Sequence, residues 1–294
     1  MSKKRQQDKA EDIFESARAS AGQSVQPVKL GLDDGFCFSC HPGVSCWNTC
    51  CHGADVTLTP HDILCLTRRL EITAEEFLSQ HTAPAVWDRA GLPVAKLRMG
   101  GKDGEGPCPF LTDEGCSVYD VRPATCRYYP LGLAAIKHGD SDAKEDFHFM
   151  VKEDHCKGHD EDKRQTVAAF LEEQGIKDGD RINRGWIDIL MKMASWRSLG
   201  GPGGKDISKQ TKQMFFMVST NIGAFRRFVF ESKFLDTYEI DPEAAEILKT
   251  DDEALLLLGF DWLKSVIFNE PTIRMNEQVL QKAVAKVRTD LGAA

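Results

Sequence analysis

The spacing of apolar and polar positions divides this chain at about residue 160. Beyond that point a helical period dominates. Asp162 to Gln174 reads as an amphipathic helix with Val167, Phe170 and Leu171 on its apolar side and Gly175 as its stop. Ile182 to Ser195 repeats the pattern, and Gly200-Gly201-Pro202-Gly203-Gly204 breaks it. Ile207 to Phe230 reads as one long helix kinked at Gly223. Further helices start at Asp241-Pro242, cover Leu255 to Phe268, and follow Asn276 with Leu280, Val284, Val287 and Leu291 on one face. Phe215, Phe216, Phe225, Phe228, Phe230 and Trp262 then belong to a packed core. No internal repeat is visible.

Before residue 160 the periodicity is short and interrupted. Thr59-Pro60-His61-Asp62 is a helix start, with Thr59 as cap, Pro60 at the first helical position and Asp62 completing a capping box. That helix should reach Leu70. Thr73 and Glu76 repeat the signal for a helix over about 74 to 81. His61 and His81 are expected on exposed helix surface. Asp55-Val56-Thr57-Leu58 alternates like a short strand. Phe110-Leu111 and Ser117-Val118-Tyr119 flank Asp113-Glu114-Gly115, which predicts a β-hairpin with glycine at positive φ. The hairpin brings Cys108 near Cys116. Arg122-Pro123 stops any helix, and Cys126 is expected on a turn.

The fold expected from this pattern is mainly α, with an irregular cysteine-rich core, a short hairpin and a helical region following it. Three parts are expected: a flexible tail over 1–30 with a partly helical stretch from Glu11 to Ala19, a cysteine-rich domain over 31–160, and a helical region over 161–294 packed on it. The net charge of −8 argues against a nucleic-acid partner, which would need a basic face. No run approaches the roughly 18 to 20 apolar residues that span a bilayer. The charged first residues lack the apolar segment of an export signal, so a cytoplasmic protein is expected, with no membrane partner.

That compartment changes the reading of the ten cysteines. A reducing cytosol disfavours a disulfide framework and favours metal or redox chemistry. Cys37, Cys40, Cys46, Cys50 and Cys51 crowd into FCFSCHPGVSCWNTCC, and Cys108, Cys116, Cys126 and Cys156 follow. Cys65 stands apart in an amphipathic helix and reads as a small buried hydrophobe. Thiolates are soft anionic donors suited to zinc or iron. Only one C-x-x-C pair is present, Cys37 with Cys40, so the two-knuckle zinc ribbon is absent. Adjacent Cys50 and Cys51 do not easily serve one ion. The spacing therefore indicates a thiolate site of one or more metal atoms without naming the metal. His52, His155 and His159 flank cysteines, but a lone histidine is more often an ordinary side chain. No phosphate loop and no nucleotide-binding glycine fingerprint occur.

Cys40, Cys46 and the Cys50-Cys51 pair, together with Cys108-Pro109-Phe110-Leu111, Cys116-Ser117-Val118-Tyr119, Arg122-Pro123-Ala124-Thr125-Cys126-Arg127 and Cys156, resemble the YkgJ-type cysteine-cluster family. The family is described as zinc- or iron-chelating and is named for a CxxCxxCC motif. The resemblance covers about residues 36 to 160. It implies metal ligation by Cys40, Cys46, Cys50, Cys51, Cys108, Cys116, Cys126 and Cys156. Cys37, between Phe36 and Phe38, is expected to face the core instead. Arg122 and Arg127 are expected to offset the negative charge by donating to sulfur. Excess thiolates favour an iron–sulfur cluster, with zinc at two sites as the alternative. Flagellin lysine-N-methylase is similar in its cysteine cluster, so an iron–sulfur-dependent methylase acting on a protein substrate is the competing expectation to a metal-holding protein. A protein partner that receives or supplies the metal is a third.

Overall fold

The structure is a computed structural model that describes residues 25–137, 144–200, 207–281 and 285. About half of it is helical, with four small antiparallel sheets. The chain forms two compact units, Met1–Val56 with Arg98–Asp178, and Thr57–Leu97 with Gly179–Ala294. The expected helix at Glu11 to Ala19 lies outside the described residues, as does most of the segment after Asn276.

In the first unit, strands Val25–Leu30, Lys144–Val151 and Leu131–Lys137 form a three-stranded sheet with Lys144–Val151 in the middle. Strand Gly35–Cys37 pairs with Arg164–Thr166, Phe36 opposite Gln165. This pairing takes the first turn of the helix expected from Asp162, which starts only at Val167 and ends at Glu173. Thr166 caps it by accepting from Ala169 N. The strand alternates about the plane of its sheet, so Phe36 and Phe38 share the buried face. They pack with Leu131, Val167 and Phe170 into a small core. The ring of Phe170 meets both phenylalanines edge-on at 5.5 and 6.3 Å.

The expected hairpin forms from Leu111–Thr112 and Gly115–Cys116, with Leu111 opposite Cys116. Gly115 has φ 113°, where a side chain is strained. Cys126 lies in a short helix, Ala124–Tyr128, and not on an open turn.

The second unit is built on the helices that the periodicity predicts. Pro60–Leu70 and Ala74–His81 each carry a complete capping box, from Thr59 with Asp62 and from Thr73 with Glu76. Asp55–Leu58 forms no strand; Thr57 makes one isolated bridge to Lys96. A hairpin of Thr82–Trp87 and Leu92–Leu97, unforeseen in the sequence, supplies Leu92 and Val94 to the core. Residues Ile182, Trp186, Ile189 and Met193 of helix Lys177–Ser198 pack into the same core.

The long helix expected from Ile207 to Phe230 is two helices, Lys209–Thr220 and Ile222–Glu231. The break falls at Asn221, not at Gly223. Asn221 leaves helical geometry at φ −139° and its side chain accepts from Ala224 N, capping the second helix. Pro242–Leu248 and Asp252–Phe268 complete the unit. Phe215, Phe225 and Trp262 are buried as expected, with Phe228 and Phe230 packed at the margin. His61 and His81 are not on open surface. His61 lies 3.5 Å from the Cys65 sulfur, and His81 packs against Phe77 at 5.5 Å.

Candidate metal centre

The thiols of the first unit come from four stretches of chain. Cys40, Cys46, Cys50 and Cys51 lie on irregular backbone between residues 40 and 51, where a single 3-10 turn, Thr49–Cys51, carries the adjacent pair. Asn48 takes left-handed geometry, φ 67°, to enter that turn. Cys108 N donates to Cys51 O at 2.7 Å, which fixes the second stretch beside the first. His52 bridges Pro107 in the same ladder. Leu111 N donates to Cys108 O at 3.0 Å, so the hairpin holds Cys116 near Cys108. Lys157 N donates to the Cys46 sulfur at 3.1 Å and places Cys156 next to Cys46.

The electrostatics report the same neighbourhoods. Burial pushes the Cys40 thiol up to about 11, reinforced by Cys50, Cys156 and Cys46, while Arg122 opposes the rise. Cys51 donates a hydrogen bond to the Cys50 sulfur. That bond holds Cys50 down to about 7 and pushes Cys51 up, with burial and then Cys50, Cys108 and Cys126 adding to the rise. Cys108 is raised by burial and by Cys116; Cys156 is raised by burial, with Cys46 adding to it. Cys126, remote in sequence, is thus within electrostatic reach of Cys51. Thiols that raise one another's pKa are neighbours whose joint ionisation needs a cation.

Cys37 and Cys65 stand apart. Cys37 is exposed because the alternation that buries Phe36 and Phe38 turns it to the opposite face. Its expected orientation toward the core is thereby corrected. Cys65 lies in the second unit beside His61.

The arginines act differently from one another. Arg127 gives its donors to carbonyls: Nε to Arg122 O and Nη1 to Gln174 O, both at 2.9 Å, and Nη2 to Asp120 O. It braces the loop that carries Cys126, and none of these bonds goes to sulfur. Arg122 stacks on Tyr119 at 3.9 Å and donates to Tyr119 O at 2.7 Å and to the Gln174 side chain. Burial lowers its pKa, and Cys126 and Cys116 act against that. Its charge, more than its hydrogen bonds, faces the thiols.

Tyr129 was not legible in the sequence. Its hydroxyl is buried with no partner at hydrogen-bond distance. Burial raises its pKa, and the neighbouring Cys156 adds to the rise. His159 packs against Phe38 and Tyr129 at 5.3 and 6.3 Å, and its Nε2 is likewise buried without a partner. His52 and His155 are exposed, beside Asn48 O at 3.3 Å and the Glu153 carboxylate at 3.6 Å.

This donor set fits zinc or iron. The thiols are soft ligands, mutually repulsive once ionised, and bordered by an orphaned hydroxyl and a guanidinium that suit an anionic metal–thiolate group. The sulfurs are neighbours, not a closed shell: among the described residues, no three His, Cys, Asp or Glu side chains are arranged around a common ion position. A groove of about 420 Å³ in the second unit, lined by Leu78, Pro93, Phe216 and Met217 with Lys209 and Lys212, contains none of the thiols.

Residues 39–164 match the CxxCxxCC family. Its description is "Putative zinc- or iron-chelating domain". The matched CxxCxxCC stretch contains Cys40, Cys46, Cys50, Cys51, Cys108, Cys116, Cys126 and Cys156, and begins after Cys37. Chelation of zinc or iron is as far as the description goes; neither a cluster nor a methylase follows from it. No curated protein and no solved structure matches the chain. Among the described residues, no helix is long and apolar enough to cross a membrane.

Proposed function

We propose that the chain holds zinc or iron through the thiolates of Cys40, Cys46, Cys50, Cys51, Cys108, Cys116, Cys126 and Cys156, and that the ion organises the cysteine-rich region as its core. The observation that carries this reading is the gathering of thiols from four stretches of chain, tied together by Cys108 N–H to Cys51 O at 2.7 Å and Lys157 N–H to the Cys46 sulfur at 3.1 Å. A bound divalent ion supplies the positive charge that lets neighbouring thiolates coexist. The chain's own residues do the rest. Cys50, with its low pKa, is the first anion available to a cation. Lys157 N–H orients the Cys46 sulfur. Arg122 offsets residual negative charge, and Arg127 fixes the loop behind Cys126. Arg122 and Arg127 are thus supporting residues around the ion and do not ligate it.

Full-length protein purified without oxygen should contain zinc or iron by elemental analysis, and chelation should expose the eight thiols to an alkylating reagent. Protein that carries no zinc or iron and takes up neither on titration would reject the reading. Colour decides between metals. Zinc is d¹⁰ and leaves the protein colourless. A brown protein with acid-labile sulfide would establish the iron–sulfur form.

A further inference from the structure

We propose that the groove of the second unit binds an alkyl carboxylate of medium length, its chain on Leu78, Pro93, Phe216 and Met217 and its carboxylate at Lys209 and Lys212. The groove contains none of the thiols, so the proposal stands or falls independently of the metal-binding reading.

The helix Lys209–Thr220 makes one long wall. Phe215 and Val218 on its inner side are 0% and 1% exposed. One step round the helix, Phe216 and Met217 are only half-buried. The sequence pattern puts Phe216 in the core, yet it lines the groove with Leu78 of Ala74–His81 and Pro93 of Leu92–Leu97. This floor is apolar surface left in water, which an alkyl chain would cover favourably. Met217 is a side chain that adapts to a flexible occupant.

The two ends of the groove differ in charge. Ser208 caps the helix by accepting from Thr211 N at 3.0 Å, and Lys209 is its first residue. The first turn holds no acidic residue, so Lys209 and Lys212 add to an end that the helix dipole already makes positive. Among the described residues, neither lysine has a carboxylate partner. Glu75, beside Asn221 at the other end, is held by Arg227 at 3.3 Å and does not offset them. An occupant with one anionic head and an apolar body matches this polarity.

Size favours a small molecule over a protein. The volume of about 420 Å³ falls within the range of small-ligand sites. The lining residues are far fewer than the roughly 20 to 30 a side of a stable protein interface. From Lys212 to Thr220 the helix runs about 12 Å at 1.5 Å per residue, a length that decanoate can follow.

Calorimetric titration of the full chain with decanoate tests this. Decanoate should bind once per chain and shift the Met217 methyl signal by NMR. Octanoate, with two buried methylenes fewer, should bind roughly 10-fold more weakly. Lys209→Gln with Lys212→Gln should weaken decanoate roughly 5-fold and leave decanol unchanged. Ala224→Phe, which narrows the groove, should abolish binding of both, while circular dichroism confirms the fold. No binding, or binding indifferent to the lysine and Ala224 variants, would overturn the proposal. So would a dimer that the Ala224 variant dissociates, or an acidic amphipathic peptide that displaces decanoate and binds more tightly, since either would give the groove to a protein.

Discussion

A phenol buried beside a thiol can complete its hydrogen bonding in only a few ways, and Tyr129 has none within the protein. A thiolate at Cys156 would supply the missing acceptor. Tyr129→Phe should therefore weaken metal retention by roughly 10-fold, the lower end of the effect of outer-shell donors. It should leave the metal-free protein as stable as before, because the hydroxyl removed there was unpaired. Competition with a chromophoric chelator and calorimetry of metal-free protein measure the two halves; unchanged retention would remove Tyr129 from the site. At the same scale, Cys37→Ser should leave metal content unchanged, while Cys40→Ser should lower it. A loss in both variants would mean that Cys37 also ligates. The sequence placed Cys37 between two phenylalanines and so suggested burial, but strand alternation reverses that inference. The pairing that makes residues 35–37 a strand lies more than a hundred residues away at Arg164–Thr166, beyond the reach of local pattern.

Elements were legible where their signals were local. Both capping boxes, the glycine turn of the cysteine hairpin and the start at Asp241-Pro242 occur as the residues imply. Boundaries failed where a side chain or a distant strand decided them. Asn221 breaks a helix that its neighbours' periodicity would continue, and strand pairing shortens the helix before Gly175. The Thr82–Trp87 and Leu92–Leu97 hairpin carries no such local signal, because each strand contains a proline, Pro84 and Pro93, which argues against a strand. Thr59→Ala removes a cap whose oxygen accepts from Asp62 N at 3.1 Å, and should cost about 1 kcal/mol by urea denaturation. Gly158→Ala acts elsewhere: its Cβ would collide with Ser39 O, so the Cys156 loop must shift. Metal content should fall in that variant with little loss of helix by circular dichroism. Full metal content would show that the loop can move without consequence to the site.

For the whole molecule, the candidate thiols all belong to one compact unit and the large aromatic core to the other. The first unit's own core is small, so ligation should contribute directly to its folding free energy. Chelation should lower the melting temperature of a transition that includes the thiols and spare most helical signal. A melting curve unchanged after verified metal removal would contradict this. The pH dependence has a definite sign. Metal must displace protons, so affinity should already fall as pH drops below the Cys40 value of about 11, and more steeply below the Cys50 value of about 7, where that thiol is protonated too. In the metal-free protein, Cys40 sits at about 11 against 9.0 for a free thiol. Its neutral form is the one favoured by folding, so that stability is present below pH 9 and lost as pH rises toward 11. The likeness to a cysteine-cluster family was readable from the sequence because short motifs carry it; how the thiols gather was not, since backbone bonds between distant stretches set it. The central claim is that sulfur, and not oxygen or imidazole, holds the metal. X-ray absorption at the zinc or iron edge of the anaerobic full-length protein tests it directly. The account predicts a shell of sulfur alone at about 2.3 Å; a shell dominated by nitrogen or oxygen near 2.0–2.1 Å would contradict it.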